Sequence, residues 1–254
     1  MARLIDTSVF CGHWPFRNLS SRDPDGLREH LRRRGVDCAW VASAEAVFYP
    51  DPMEANEPLF NAIGGDPFFV PFAIIDVTLP QYLADAQACV SRWNCGGFKL
   101  LPNYHRFSLN DPRVHALLKL SAGANVPVCI QMRMIDERSH HPLMLVPGVA
   151  AADIAELARH FPGNRLLACG AYGSELAALS SAPNVWAEIS FVESGDTLVE
   201  ALKKIPESRL CFGSHSPFHY FEAEAAKLHA AGDVAAETMQ KIMDTNATQL
   251  RTGG

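Results

Sequence analysis

The chain has 254 residues, of which 48% are hydrophobic and 20% are charged, a composition that excludes disorder, collagen and coiled coil. Its 22 basic and 28 acidic residues give a net charge of −6, so no basic footprint for nucleic acid covers the molecule. No apolar run approaches the roughly 18–20 residues that span a bilayer, and we expect neither a nucleic acid nor a membrane as partner.

Short apolar runs recur along the chain, at residues 4–10, 38–42, 69–77, 97–101, 126–134, 166–170, 185–189 and 210–213. They are continuous rather than alternating, which is typical of parallel strands buried on both faces. Helix-like stretches lie between most of them, at 26–34, 82–93, 113–122, 151–160, 198–204 and 222–231. This rhythm predicts a (β/α)8 TIM barrel that forms one domain over residues 1–254. An open doubly wound sheet is the alternative, but the chain lacks its glycine-rich phosphate-binding motif.

The seven cysteines are odd in number and include no CxxC pair, and four of them lie inside apolar runs. This is typical of reduced, buried cysteines in a cytosolic protein. The first residues enter an apolar strand pattern directly and lack the zones of a signal peptide. We therefore expect a cytoplasmic protein, and a homo-oligomer is compatible with the sequence.

Polar residues are concentrated after the predicted strands, where a barrel places its active site. Six of the ten histidines lie there, namely His13, His105, His140, His141, His215 and His219. The segment after strand five is the densest in charge, and Lys99 and Glu188 lie at the ends of strands four and seven. A strand that only packed a core would not carry such charges, because burying them unpaired costs several kcal/mol each.

Several short motifs occur in a fixed order along this pattern: Leu4-Ile5-Asp6, Gly97-Phe98-Lys99-Leu100, Gly213-Ser214-His215-Ser216-Pro217 and Asn246-Ala247. With them the chain resembles the amidohydrolase 2 branch of the amidohydrolase superfamily, whose motifs are IDxHxH, a glycine–lysine step, GSDxP and NA. The resemblance implies a barrel that hydrolyses an amide, lactone or similar carbonyl bond of a small, carboxylate-bearing substrate. It also implies zinc or another divalent ion.

The chain departs from this family at the metal ligands. The family binds metal through the two histidines of HxH, histidines on strands five and six, and the strand-eight aspartate. The matching positions here hold Ser8, Phe10, Gln131, Ala168 or Cys169, and His215. Phenylalanine has no donor atom, and serine and glutamine are poor zinc ligands. We therefore expect no standard metal site and at most one ion, so the cofactor is left open.

Three interpretations of the site remain open. A relocated metal could be held by some of His13, His105, Asp136, His141 and His215. Catalysis could instead be metal-free, and decarboxylation or another lyase reaction is then the alternative to hydrolysis. The barrel could also bind a ligand without chemistry.

We predict that one pocket at the barrel mouth holds the working residues. The predicted catalytic residues are His215, Asp136, His141 and Lys99. The predicted substrate-binding residues are Arg138, Arg133, His105, Trp14, Gln131 and Glu188, and no residue is assigned as a metal ligand. An anionic ligand is expected against Arg138 or Lys99, because an arginine can hold a carboxylate through two hydrogen bonds.

Overall fold

The computed structural model describes residues 3–140, 145–230, 232 and 234–253. Its parallel strands form one sheet in sequential order. They are β1 (Ile5–Cys11), β2 (Cys38–Ser43), β3 (Phe69–Ile74), β4 (Gly97–Leu100), β5 (Val128–Gln131), β6 (Leu166–Cys169), β7 (Val185–Glu188) and β8 (Leu210–Cys211).

Hydrogen bonds from β1 to the segment that follows β8 bring the two ends of the sheet together. The Thr7 N–H donates to the Phe212 carbonyl at 3.1 Å, and the Phe10 N–H donates to the Ser216 carbonyl at 2.8 Å. The Thr7 hydroxyl reaches the same Phe212 carbonyl at 2.8 Å. The predicted single-domain (β/α)8 barrel is thereby confirmed.

Helices surround the barrel. They are α1 (Pro24–Arg32), α2 (Met53–Ile63), α3 (Tyr82–Trp93), α4 (Pro102–His105), α5 (Pro112–Gly123), α6 (Ala151–His160), α7 (Leu176–Ser180), α8 (Thr197–Leu202), α9 (Phe221–His229), α10 (Ala236–Gln240) and α11 (Asn246–Thr252). A π-helical turn, Lys241–Thr245, joins the last two. None of the helices in the described ranges has the length and apolar character needed to cross a bilayer.

Several local features differ from the sequence pattern, since helices such as α7 and α10 lie in segments with no predicted helix. Helix α2 was not predicted, because Pro58 in its interior is a strong signal against a helix. The segment after strand four, predicted as a loop, begins with the short helix α4, which Pro102 opens at a position that needs no N–H. Strand β5 ends at Gln131, so Arg133 and Met134 belong to the loop that follows it.

Buried apolar side chains fill part of the barrel lumen. Trp40 and Phe72 stack with ring centroids 4.6 Å apart and form one buried cluster with Cys129, Leu167 and Cys211. Residues on strands that are not neighbours can touch only across the lumen, so this cluster lies within it. All seven cysteines are buried and free.

Candidate active site

A cavity of about 490 Å³ opens where the carboxyl ends of the strands meet. Its walls come from the segments after β1, β2, β4, β5 and β8, at the edge where barrel enzymes place their active sites. We call it the mouth cavity. The described residues that line it are Trp14, Phe16, Arg17, Phe48, Tyr104, Ile135, Ser139, His140, Leu145, Val146 and Phe218.

The loop after β1 supplies three of these residues because the chain turns sharply at Gly12. This glycine has φ +118°, and a β-carbon there would lie 3.3 Å from the Glu45 side chain. The Glu45 carboxylate in turn accepts a hydrogen bond from the His13 N–H at 3.0 Å. Glycine thus allows the loop to approach the segment after β2, and Glu45 holds it there.

Aromatic rings form most of the cavity wall. The Trp14 ring lies 4.9 Å from the Phe48 ring and 4.8 Å from the Phe218 ring, centroid to centroid. Phe16 packs edge-on against Phe48 at 5.5 Å, and Tyr104 also packs edge-on against Phe48, at 5.8 Å. Such edge-to-face contacts fix the rings in place, which leaves a preformed apolar slot.

Few polar side chains line this slot. The Arg17 guanidinium donates to the Phe218 carbonyl and lies 5.9 Å from the Phe218 ring centroid. The half-buried His140 contributes an imidazole on the far wall. Burial raises the pKa of Tyr104 to about 12, so its hydroxyl keeps its proton at neutral pH. The cavity therefore offers a cation, an imidazole and a hydroxyl within an aromatic enclosure.

His215 lies fully buried beneath this cavity. Its Nε2 is 2.8 Å from the Met134 carbonyl oxygen, and a carbonyl only accepts, so Nε2 carries the hydrogen. Burial, reinforced by the nearby His219, holds the pKa of His215 well below its usual range, so the ring is neutral. The Phe10 ring packs edge-on against it at 5.4 Å. We call the buried side chains beneath the mouth cavity, Phe10 among them, its floor. No ligand can touch His215 unless the floor rearranges.

Lys99 lies in the same sealed interior and is 2% exposed. Its Nζ donates to Gln131 Oε1 at 3.0 Å, lies 3.8 Å from Cys169 Sγ and sits 4.7 Å from the Phe10 ring centroid. Gln131 is held in turn by its bond to the Arg133 carbonyl at 2.7 Å. Lys99 and Gln131 thus satisfy each other below the cavity.

Two buried carboxyl groups lie nearby. Glu188 accepts from the Gly170 N–H, the Ser190 N–H and the Ser190 hydroxyl at 2.5–2.8 Å, and burial raises its pKa. Asp6 accepts from the Ser214 N–H at 2.9 Å and the Ser8 N–H at 3.2 Å. Burial raises the pKa of Asp6 to about 7. Both carboxyl groups hold strand ends in place by accepting hydrogen bonds from backbone N–H groups.

The charged residues after β5 lie on the rim instead. Arg138, whose side chain is 70% exposed, binds Asp136 and Glu193. Asp136 also accepts from the Arg138 N–H at 2.8 Å and so caps the 3-10 turn Glu137–Ser139. The Arg138 hydrogen bonds hold the pKa of Asp136 down at about 2.

Arg133, by contrast, is buried. It binds Glu175 at 2.7 and 2.8 Å, and its Cζ lies 3.9 Å above the Tyr172 ring centroid. Its two terminal nitrogens are therefore engaged within the protein, where they hold the segments after β5 and β6 together.

The expectation of one shared pocket needs correction, because the structure separates the residues assigned to it. Lys99, Gln131, Glu188 and His215 are sealed in the interior, whereas Arg138 and Asp136 pair on the exposed rim. Among the predicted residues that the structure describes, only Trp14 lines the mouth cavity. Their catalytic and binding roles stay predictions.

His105 and His141 complete the predicted set. His105 is half-buried, and neither ring nitrogen has a hydrogen-bond partner among the described residues. Burial lowers the pKa of His105, which favours a neutral ring. His141 lies outside the described residues.

The sequence did not assign four of the cavity residues, namely Arg17, Phe48, Tyr104 and Phe218, and it singled out His140 only as one of the histidines that follow strands. All of them follow strands, as the argument from barrel architecture required. These four residues have a weak signal in the sequence, since three are aromatic and one is an isolated arginine. The sequence did offer a signal for Arg17, because it lies three residues after Trp14 in the same loop.

The residues at the family's metal positions do not fit a metal. Phe10 offers no donor atom and covers the Lys99 Nζ, and a lysine ammonium at this place repels a divalent cation. His215 uses Nε2 for the Met134 carbonyl. No group of three or more His, Cys, Asp or Glu side chains suited to a metal occurs in the described ranges.

Comparisons with solved structures find similar barrels. A 2,6-dihydroxybenzoate decarboxylase from Rhizobium has a TM-score of 0.79 at 16% identity, covering 98% of each chain. A 5-carboxyvanillate decarboxylase from Sphingomonas paucimobilis has a TM-score of 0.77 at 14% identity, covering 99% of each chain. A dihydroxybenzoic acid decarboxylase from Polaromonas sp. JS666, with bound manganese and 2-nitroresorcinol, has a TM-score of 0.78 at 17% identity, covering 98% of this chain and 97% of that one.

At these identities the likeness concerns the fold. A comparison with curated protein sequences found no match. A model of the amidohydrolase 2 family, described as amidohydrolase, matches residues 42–250. The match begins after β1 and its departures at Ser8 and Phe10, and it spans most of the barrel. The chain belongs to the amidohydrolase 2 family.

Proposed function

We propose that the protein is a lyase that decarboxylates a small aromatic carboxylate in the mouth cavity. The observation that carries the proposal is the aromatic enclosure of about 490 Å³ with one arginine in its wall. Small-molecule sites are typically apolar pockets of this size with a few polar groups that fix orientation. The structurally similar decarboxylases named above support the reaction class.

The chemistry asks two things of the site. The bond between the ring carbon and the carboxyl carbon breaks, CO2 leaves, and the electron pair left on the ring carbon takes up a proton. Apolar walls favour the first step, because the carboxylate loses its hydration there. The second step needs an acid beside the ring, and we assign it to His140, since histidine exchanges protons near neutral pH.

Hydrolysis, the activity that the family resemblance first implied, has less support. It needs a water activated as a nucleophile, and the family's usual means is a metal ion that the residues present do not fit. We therefore propose a reaction that does not depend on a metal. This extends the similarity to the manganese-containing decarboxylase only as far as the reaction class.

A non-catalytic binding barrel is the second candidate. The observation in its favour is the sealed floor, since Lys99 and His215 lie beneath Phe10 and out of reach of a ligand. In this case the mouth cavity would hold an aromatic acid without converting it.

The test measures CO2 release and binding with the same panel of hydroxybenzoates, 2,6-dihydroxybenzoate included, in the presence of a chelator. We expect binding with stoichiometric CO2 release. His140→Gln should lower kcat at least tenfold and leave the dissociation constant within about twofold. His160→Gln, on the exposed face of α6, is the matched control and should change neither quantity. Binding without CO2 would support the binding barrel, and hydrolysis of ester or amide analogues would restore the hydrolase interpretation.

A further inference from the structure

We propose that the ligand carries a second acidic group, a carboxylate on a short side chain, which Arg17 holds where the mouth cavity meets a neighbouring polar cavity. The inference deepens the proposed function and rests on it in placing an aromatic ring in the mouth cavity. It concerns the part of the ligand that does not react.

The geometry starts from two cavities that share a wall. The second cavity measures about 430 Å³ and lies between the loop after β1, helix α1 and the segment after β8. Arg17 and Phe218 line both cavities. The proposal places the ring of the ligand in the mouth cavity and its side chain past Arg17 in the second cavity.

Arg17 differs from other arginines of this region in its partners. Arg34 binds Glu222, Arg133 binds Glu175 and Arg138 binds Asp136. Among the residues that the structure describes, no carboxylate lies within ion-pair distance of Arg17, whose hydrogen bond goes to the neutral Phe218 carbonyl. The Phe218 contacts hold the guanidinium at the junction, while its remaining N–H donors are available.

The second cavity is suited to an anion. Its charged lining residues are Arg17, Arg34 and Glu222, so two positive side chains face one negative side chain. Burial and the nearby Arg34 lower the pKa of His30, which leaves this histidine as a neutral hydrogen-bonding group. Asn18, Ser20 and Tyr220 add further donors. An acidic group on Arg17 would thus meet hydrogen-bond donors rather than apolar wall.

This arrangement separates two tasks. The reacting carboxylate belongs in the apolar slot, where its hydration is lost, whereas Arg17 would stabilise a charge that does not change during the reaction. Binding energy from such a remote group helps to hold the reacting group in an unfavourable environment. The planar fork of an arginine matches a carboxylate through two parallel hydrogen bonds.

The test compares 3-(2-carboxyethyl)benzoate with 3-propylbenzoate, in which an uncharged methyl group replaces the second carboxylate. Isothermal titration calorimetry measures binding to the full chain and to two variants. We expect the parent protein to bind the dicarboxylate at least tenfold more tightly. Arg17→Gln should abolish this preference and leave the affinity for 3-propylbenzoate within about twofold. Arg33→Gln, which changes an exposed arginine that pairs with Glu29 and lines neither cavity, is the matched control and should retain the preference.

Other results overturn the inference. The parent protein could bind the two probes with equal affinity, or Arg17→Gln could weaken the binding of both probes equally. Either result would show that Arg17 does not bind a second acidic group. A stronger preference for 3-(phosphonomethyl)benzoate would replace the carboxylate by a phosphate-type group. Because binding is measured without turnover, a dicarboxylate preference without CO2 release would sustain this inference while the proposed function fails. Failure of both probes to bind would overturn both.

Discussion

Lys99 is the least expected residue of the barrel interior, because a buried amino group is costly unless it is paired. The protein gives it the Gln131 amide oxygen and the face of the Phe10 ring. Neither partner carries a charge. Cys169 Sγ, 3.8 Å from the Nζ, is a second and weaker acceptor. The energetic balance at this point therefore depends mainly on the hydrogen bond to Gln131.

Removal of that bond yields the first prediction. Gln131→Leu should lower the free energy of unfolding by about 1–3 kcal/mol, because it leaves the Lys99 amino group with only the weak Cys169 Sγ acceptor. The double variant Lys99→Met with Gln131→Leu should recover at least half of this loss, since replacing both partners by apolar groups is often close to neutral. Urea unfolding of the parent and the two variants measures both effects. A double variant less stable than Gln131→Leu alone would contradict the account.

Asp6 yields a prediction about pH. Burial raises its pKa from 3.8 to about 7, so the folded protein keeps this proton at a pH where the unfolded chain has lost it. Between about pH 4 and 7 the Asp6 contribution to stability therefore falls as pH rises, and it is constant above this interval. The total change corresponds to about 4 kcal/mol.

The measurement compares unfolding of the parent protein with that of Asp6→Asn from pH 4 to 8. Asparagine keeps an acceptor oxygen for the Ser214 and Ser8 N–H groups. We expect the variant to gain stability relative to the parent as pH rises through this interval. A constant difference between the two proteins would show that Asp6 does not titrate as described.

At the scale of elements, the C-terminal helices show why one π-helical turn interrupts them. The Ile242 carbonyl within this turn accepts the Phe212 N–H at 2.9 Å. A wider helical turn frees such a carbonyl from the helix, and here it accepts the Phe212 N–H of the segment that follows β8. Asn246 then opens α11 and donates to the Glu207 and Leu210 carbonyls at 2.6 and 2.8 Å.

Asn246 should therefore be more than a helix former. Asn246→Leu leaves two carbonyls without their donor, and we expect a loss of about 2–4 kcal/mol in the free energy of unfolding, at the usual penalty per buried group. Gln249→Ala, on the exposed side of the same helix, should change stability by less than about 0.5 kcal/mol. Thermal and urea unfolding of both variants test this difference, and equal effects would contradict it.

The barrel was predictable from the sequence because continuous apolar runs have one common explanation. Helix α2 was not, since Pro58 outweighs its other residues in any local analysis. The site was harder still. The sequence shows that Phe10 has no donor atom for a metal, but its place in the floor of the cavity depends on side chains from other strands. Phe48 and Phe218 contact Trp14 only because three separate loops converge. Such contacts have no local signature.

At the scale of the whole molecule, the loss of the family's metal ligands is spread over the barrel. Ser8 and Phe10 lie on β1, Gln131 on β5 and His215 after β8, so no single substitution would restore a site. The replacement side chains also contact one another, as the Phe10 and His215 rings do. The side chains at the family's metal positions are thus packed together in the interior.

The replacement of the family's metal ligands predicts a low metal content. Protein purified without added metal should hold at most one divalent ion per chain, measured by inductively coupled plasma mass spectrometry. Addition of Mn²⁺ or Zn²⁺ should leave the thermal unfolding midpoint unchanged, because a ligand that binds the folded state raises it. About two ions per chain after extensive dialysis would refute this expectation.

The seam between β1 and β8 has a consequence for how the chain acquires its structure. The hydrogen bond from Thr7 to Phe212 joins residues 205 positions apart, and that from Ser214 to Asp6 spans 208. During synthesis β1 emerges first, yet one of its two neighbours emerges near the end. Contacts this distant form late, because the long loop must close first.

Until then one edge of β1 is open, and an open strand edge invites pairing with other chains. In pulsed hydrogen exchange during refolding, we expect the Thr7 and Phe10 amides, which face β8, to gain protection after the Ala39 amide, which bonds to the nearby Phe68 carbonyl. Simultaneous protection would mean that the ring closes in one step. Late closure makes ribosome-bound and C-terminally truncated chains the forms most exposed to aggregation.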